Sequence, residues 1–132
     1  MNDDREFLER FEAGTIEPFH HRDHVRMAWL YLRWHSVPVA LEWIMIGIKN
    51  LATSAGRPNL YHETITWAFV LLVNERMERT GRRTTWEEFA SANPDLFVWR
   101  PSVLDRYYLS ETLASELARR VFVLPDRIDA RS

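Results

Sequence analysis

Apolar residues recur along most of the chain at spacings of three and four, the period of amphipathic α-helices, and strand-like alternation is rare. Each long run of this pattern ends near a glycine or a proline, the residues that most often end helices. The pattern predicts three long helices, running from about His21 to His35, from Val39 to Ser54, and from Tyr61 to Arg79 or Thr80.

Shorter helices are expected on either side of these three. They run from Asp3 to Ala13, from the capping box Thr85-Trp86-Glu87-Glu88 to about Asn93-Pro94, from Pro101-Ser102 to Tyr108, and from Glu111, capped by Ser110, to about Phe122. The buried seam of the last helix would be Leu113, Leu117 and Val121. We therefore predict an all-α fold, a compact bundle of about six helices with the three long helices as its frame. The 132 residues form one domain, with a loosely held tail from about residue 125.

The second predicted helix carries histidines on its apolar face. At 100° per residue, one face holds His21, His24, Val25, Ala28, Leu32 and His35. The apolar arc is extended on one side by Met27, Leu30 and Trp34. The opposite face holds Arg22, Arg26 and Arg33. We expect His21 and His24 to point into the bundle and the arginines to face solvent.

Two histidine-bearing helix starts should lie close together in the fold. Helices joined by short loops pack as antiparallel neighbours, so the second and fourth predicted helices run parallel to each other. Their first turns, with His21 and His24 in one and His62 and Glu63 in the other, then meet at the same end of the bundle. We expect a candidate site at that end.

Metal binding is one chemistry that such a site would support. Neutral imidazoles and a carboxylate bind zinc, iron, nickel or manganese. The candidate ligands are His21, His24 and His62, with His20 as an alternative to His21 if the helix extends back to it. Glu63 would be a fourth ligand or a general base, and a metal-activated water would make the site hydrolytic. Tyr61 and Thr66 are candidate ligand-binding groups beside it.

Two other interpretations stay open for the same residues. Histidines near helix starts often serve only to satisfy buried backbone groups, and a glutamate in a first turn is favoured by the helix dipole alone. The partial positive charge of helix N-termini also disfavours a cation and suits an anion better, which would fit a metal-free ligand site or acid–base site. The sequence lacks an H-E-x-x-H motif, which would have favoured the metal.

Composition narrows the class of protein further. The chain has no cysteine, so disulfides and thiolate chemistry are excluded. Its net charge is −2 and its longest apolar run, Trp67 to Val73, is short, so we expect neither a nucleic-acid partner nor a membrane span. The absence of a signal-like start and the bias of 16 arginines to one lysine indicate a cytoplasmic bacterial protein.

The six tryptophans suggest a second class of function. Most should fill the core, as large aromatic side chains do in helical bundles. Trp43 and Trp67 lie off the main inner stripes of their helices, and Trp99 lies in a short segment between helices. These three define an alternative hypothesis, a non-enzymatic interaction module or homodimer with structural histidines.

Two segments carry a resemblance to a family. His21-Arg22-Asp23-His24 with the apolar residues after it, and Tyr61-His62-Glu63-Thr64, resemble the H-x-x-H and Y-H-E-T motifs of a group of small bacterial helical proteins. The resemblance extends from about Phe7 to Pro125. It implies a small helical fold and no particular activity.

Overall fold

The computed structural model describes residues 2–16 and 19–127, and within these ranges the chain forms seven α-helices and no strand. The α-helices are α1 (Asn2–Ala13), α2 (His21–Trp34), α3 (Val37–Ser54), α4 (Glu63–Thr80), α5 (Trp86–Ala92), α6 (Ser110–Leu113) and α7 (Glu116–Arg120). Short 3-10 helices span Pro58–Leu60, Pro94–Phe97 and Val103–Arg106. The predicted all-α bundle is confirmed, with α2, α3 and α4 as its long elements. In the described ranges no helix is long and apolar enough to cross a membrane.

The helix ends follow from local chemistry. Thr85 and Glu88 form the predicted capping box, in which each side chain accepts a hydrogen bond from the other residue's backbone N–H. Gly14 ends α1 with a φ of 72°, a left-handed conformation that side-chain-bearing residues rarely adopt. The segment between α1 and α2 also contains Glu17 and Pro18, which lie outside the described residues.

The single C-terminal helix predicted from Glu111 to Phe122 is wrong. The chain instead forms α6 and α7, because the hydroxyl of Ser115 accepts a hydrogen bond from the Ala118 N–H and starts a new helix. Ser110 is the first residue of α6 rather than its cap. The predicted seam is therefore broken, and Leu117 is 57% exposed and Val121 47% exposed.

Two further expectations about the second half are corrected. The helix predicted from Pro101-Ser102 to Tyr108 is only the 3-10 turn Val103–Arg106, which the Ser102 side chain caps. The predicted loose tail is held at its start, because the backbone N–H groups of Asp126 and Arg127 both donate to the Tyr107 carbonyl. The rest of that tail, residues 128–132, lies outside the described residues.

The core is built around α2. Every residue of α2 from Val25 to Leu32 except Arg26 is buried, because α3 and α4 pack on it and the side chains of α5 cover Trp29. Arg22 and Arg33 are exposed as expected, whereas Arg26 is half-buried: its guanidinium pairs with Asp4 at 2.8 Å and lies over the Phe7 ring. Trp34, predicted to extend the buried arc, is 70% exposed because it is the last residue of α2.

An ion-pair cluster joins α4 to the segment after α5. Both oxygens of Asp95 accept hydrogen bonds from Arg76, at 2.8 and 2.7 Å, and Arg76 also donates to the buried amide oxygen of Asn93. The guanidinium of Arg76 lowers the pKa of Asp95 below its usual value, mainly through these hydrogen bonds. This cluster fixes Leu96, whose side chain is fully buried, against the bundle.

The close approach of α1 to α3 depends on Gly47. A Cβ atom at this position would lie 2.1 Å from the ring of Phe11, whose side chain is completely buried. Glycine in a helix interior normally lowers stability by about 0.5–1 kcal/mol relative to alanine. At this position the loss is offset because the absence of a side chain lets α1 pack closely on α3.

We expect Gly47→Ala to destabilise the protein by about 1–3 kcal/mol through overpacking, although alanine is the better helix former. Urea unfolding followed by circular dichroism measures the change. Asn50→Ala, at an exposed position of the same helix, is the matched control and should shift stability by less than about 0.5 kcal/mol. A second substitution, Phe11→Leu, should reduce the penalty of Gly47→Ala. If Gly47→Ala raises stability, α1 does not pack on α3 in this way.

Candidate functional site

The three long helices enclose a cavity of about 460 Å³. The N-terminal half of α2, the C-terminal half of α3 and the N-terminal half of α4 supply most of its wall, as expected if α2 and α4 run parallel and α3 runs against them. The wall is mainly apolar, with side chains such as Met27, Ile44, Ile48, Leu51, Ile65 and Val70. The cavity therefore lies at the bundle end where the sequence predicted a site.

Five of the predicted site residues line this one cavity. They are His21, His24, Tyr61, His62 and Thr66. Glu63 is not part of the lining, and its carboxylate accepts a 2.6 Å hydrogen bond from the Tyr61 hydroxyl. His20 is exposed in front of α2, where its backbone N–H donates to Asp23, so the inward-facing member of the pair is His21. The imidazoles at the starts of α2 and α4 therefore line the same cavity, as predicted, although these starts are some 40 residues apart in the sequence.

Both ring nitrogens of His62 form hydrogen bonds within the protein. It caps α4, since its Nδ1 accepts a hydrogen bond from the Ile65 N–H at 3.1 Å. Its Nε2 lies 2.8 Å from the Leu113 carbonyl oxygen and donates to it. A ring that accepts at one nitrogen and donates at the other is the neutral tautomer with its proton on Nε2. His62 therefore has no free lone pair for a metal ion, and its role is to tie α4 to α6.

Only one ring nitrogen of His21 forms a hydrogen bond with a described residue. Its Nε2 donates to the Leu96 carbonyl at 2.8 Å, which leaves Nδ1 as an acceptor in the neutral ring. The imidazole lies between the rings of Phe69 and Trp99, with centroid distances of 5.2 and 5.3 Å. These contacts fix the plane of the ring at the cavity wall.

His24 is the histidine of the cavity wall that the described residues leave without a hydrogen bond; the fully buried polar atom without a partner in those ranges is Nε1 of Trp67, which does not line the cavity. No residue in the described ranges forms a hydrogen bond with its imidazole, whose edge packs on the Phe19 ring at a centroid distance of 4.5 Å. Burial, with a smaller contribution from the nearby His21, lowers the pKa of His24 to about 4, and Asp23 offsets this only in part. At neutral pH the imidazole is uncharged and offers one donor and one acceptor to the cavity.

Tyr61 and Glu63 form a polar pair at the edge of the cavity. Burial and the hydrogen bond to Glu63 raise the pKa of the Tyr61 phenol, so it stays protonated and donates to the carboxylate. The ammonium of Lys49 lies 5.0 Å from the centre of the Tyr61 ring. The charges of Glu63 and Lys49 are therefore positioned around Tyr61 rather than on the cavity wall.

A metal site is not formed by these residues. In the described part of the chain, no group of three or more histidine, aspartate or glutamate side chains is arranged to hold a metal ion. Hydrogen bonds explain why: His62 uses both of its nitrogens, His21 uses one, and Glu63 accepts from Tyr61. The predicted divalent metal has no donor set within these ranges.

Sequence reasoning missed part of the cavity wall. Trp99 and Leu60, both more than 60% exposed, come from segments between helices and line the cavity along with Phe19. The C-terminal half of α3 contributes Ile48 and Leu51, neither of which was predicted as a site residue. Periodicity identifies which face is apolar, but it cannot show that two apolar faces leave a space between them.

Protonation of His24 should make the fold less stable. In the unfolded chain its pKa returns to about 6.5, so the unfolded state binds more protons between pH 6.5 and about 4. We expect the free energy of unfolding to fall over this window as pH is lowered, by on the order of 3 kcal/mol. Urea titrations at several pH values measure the slope.

Two variants isolate the contribution of His24 to that slope. His24→Leu should flatten the pH dependence between pH 6.5 and 4, whereas His20→Asn, at an exposed position two residues before Arg22, should keep it. Equal slopes in wild type and His24→Leu would show that the imidazole is not buried in its neutral form.

Comparison with known proteins adds no further assignment. No family model, no curated protein and no solved structure matches the chain. The resemblance of the H-x-x-H and Y-H-E-T segments to small bacterial helical proteins stays a prediction. What can be inferred about function rests on the cavity and on the side chains that line it.

Proposed function

We propose that this protein binds a small organic molecule in the cavity between α2, α3 and α4, with His24 forming a hydrogen bond to it. The observation that carries the proposal is the position of His24: its uncharged imidazole lines a cavity of about 460 Å³ without a hydrogen-bond partner among the described residues. Ligand pockets in proteins measure about 300–1,000 Å³ and are mostly apolar with a few polar groups.

Energetic considerations favour a ligand over a purely structural role for His24. His24 is partly buried, and a polar group that loses water without gaining a hydrogen bond costs up to about 1–3 kcal/mol, so a fold that needed only a filled core would place an apolar side chain there. His62 and His21 differ in this respect, since both are bonded to backbone carbonyls and have structural roles. Among the three histidines of the cavity wall, His24 is the one that has neither ring nitrogen in a hydrogen bond with a described residue.

Binding is better supported than hydrolysis. The base predicted for a hydrolytic reaction, Glu63, accepts a hydrogen bond from Tyr61 and does not line the cavity. The metal that would activate a water lacks a donor set in the described ranges. The proposal therefore concerns recognition of a ligand, and it includes no chemical step.

Filling the cavity should abolish binding. Ala52 is buried and lines the cavity, so Ala52→Leu extends a branched side chain from its wall. The probes are naphthalene derivatives that carry a hydroxyl, a carboxylate or an aminomethyl group, and the measurement is the rise in melting temperature with ligand concentration. We expect at least one probe to stabilise the wild type and to lose most of that effect in Ala52→Leu.

Thr53→Leu is the matched control, because Thr53 is exposed on the same helix and does not line the cavity. This variant should respond to the probes as the wild type does. If no probe stabilises the wild type, or if Ala52→Leu and Thr53→Leu respond alike, the cavity is not a binding site.

A homodimer is the second candidate function, and one surface favours it. Val39, Trp43 and Ile46 follow one another at helical spacing along α3, and between 39% and 52% of each residue is exposed. The expectation that Trp67 contributes to such a surface is wrong, because it is partly buried and its ring stacks on Phe122 at 5.2 Å. Trp99 is exposed but belongs to the cavity mouth.

Size-exclusion chromatography with light scattering tests the dimer. If the stripe on α3 forms the interface, the wild type elutes as a dimer and Trp43→Glu or Ile46→Glu converts it to a monomer. Leu71→Glu, at a similarly exposed apolar position of α4, is the control and should leave the mass unchanged. A wild-type monomer at every concentration measured rules this candidate out.

A further inference from the structure

We propose that the ligand of this cavity is an uncharged aromatic molecule that is held between aromatic side chains and makes one hydrogen bond, to His24. This inference rests on the proposed binding function and specifies the chemical class of the ligand. Three features of the cavity support it: the absence of charge on its wall, the number of rings in that wall, and the exposed apolar side chains at its mouth.

The wall carries no charged side chain within the described part of the chain. Its polar members are three histidines, Tyr61 and Thr66, and two of those histidines already donate to backbone carbonyls. A charged group buried in such surroundings loses its hydration and gains no counter-charge. The nearest charges identified, on Glu63 and Lys49, lie around Tyr61, and Glu63 already accepts a hydrogen bond from the Tyr61 hydroxyl.

Among the side chains of the wall, an anion would find a positive charge only on a protonated histidine, and His24 is the histidine without a hydrogen bond to a described residue. Burial lowers the pKa of His24 to about 4, so the charged imidazole is scarce at neutral pH. A cation would find no carboxylate on the wall of the cavity. A neutral hydroxyl, carbonyl or ring nitrogen, by contrast, matches the one donor and one acceptor of an uncharged imidazole.

Aromatic rings make up an unusual share of the wall. Phe19, Phe69 and Trp99 line the cavity together with Tyr61 and the histidine rings. They are not parallel: Phe19 meets His24 at 61° and Phe69 meets His21 at 71°. A planar ligand can therefore meet both faces and edges of rings, the arrangements that aromatic pairs prefer.

The mouth of the cavity is flanked by apolar side chains. Leu60 is 63% exposed and Trp99 is 62% exposed, and both belong to segments between the long helices. An apolar ligand that entered between them would remove part of this surface from water. The mouth therefore favours the same kind of ligand as the wall.

A series of probes with one ring system separates charge from shape. The probes are 1-naphthol, 1-naphthoate and 1-naphthylmethylamine, measured by calorimetric titration at pH 7.5, with decahydro-1-naphthol as the saturated counterpart of the first. We expect 1-naphthol to bind at least tenfold more tightly than the anion and the cation, and several-fold more tightly than the saturated alcohol.

The hydrogen bond is tested by a double comparison. His24→Leu should weaken 1-naphthol binding at least fivefold more than it weakens binding of naphthalene, which has no polar group. Because both ligands are measured on the same variant, a general loss of fold or of packing would affect both and is separated from loss of the hydrogen bond. Equal losses for the two ligands would overturn the assignment of His24.

The outcomes distinguish this inference from the function it rests on. Tighter binding of 1-naphthoate or 1-naphthylmethylamine, lost in Ala52→Leu, would overturn the neutral ligand class and leave the binding site intact. Equal binding of 1-naphthol and its saturated counterpart would overturn the aromatic preference alone. If none of the probes binds in a way that Ala52→Leu abolishes, the binding function itself fails.

Discussion

Burial of α2 on almost every side is the constraint on which the architecture depends. From Val25 to Leu32 only Arg26 is not buried, so this stretch has to be enclosed by α3, by α4 and by the segments around Trp86 and Leu96. The enclosure weakens in the first turn of α2, where histidines replace aliphatic residues. There the surrounding helices stay apart and leave the cavity. The same helix thus organises the core at one end and the candidate site at the other.

Much of the frame could be predicted because it depends on local patterns. The starts and ends of α1, α2 and α4 were placed to within one or two residues by periodicity, glycine positions and capping chemistry. The C-terminal part was predicted less well, since a continuous apolar spacing from Leu113 to Val121 suggested one helix. The local cap at Ser115 interrupts it, and Ala118 takes the buried position. The hydrogen bond of one serine hydroxyl to the backbone can therefore start a new helix where the apolar spacing alone would predict a continuous one.

The position of the candidate site could be predicted from the sequence, but its chemistry could not. Parallel packing of two helices was enough to bring His21, His24 and His62 to one cavity. The sequence cannot show that both ring nitrogens of His62 form hydrogen bonds, one in the cap of α4 and one with the Leu113 carbonyl. The second partner depends on how a distant segment folds back. The histidine proposed to bind a ligand differs from the two structural histidines by one hydrogen bond to the protein. For His24 that bond is absent within the described ranges, and for the other two it is present.

The carbonyl partners of the histidines have a consequence for the order in which the molecule is assembled. His21 is bonded to a carbonyl 75 residues away and His62 to one 51 residues away, whereas most of the cavity wall comes from a continuous stretch of the first half of the chain. Contacts across such separations require large loops to close and form late compared with local helices. The first half can therefore collapse around α2 with its imidazoles still unoriented. Docking of the C-terminal half then orients His21 and His62 at the cavity wall.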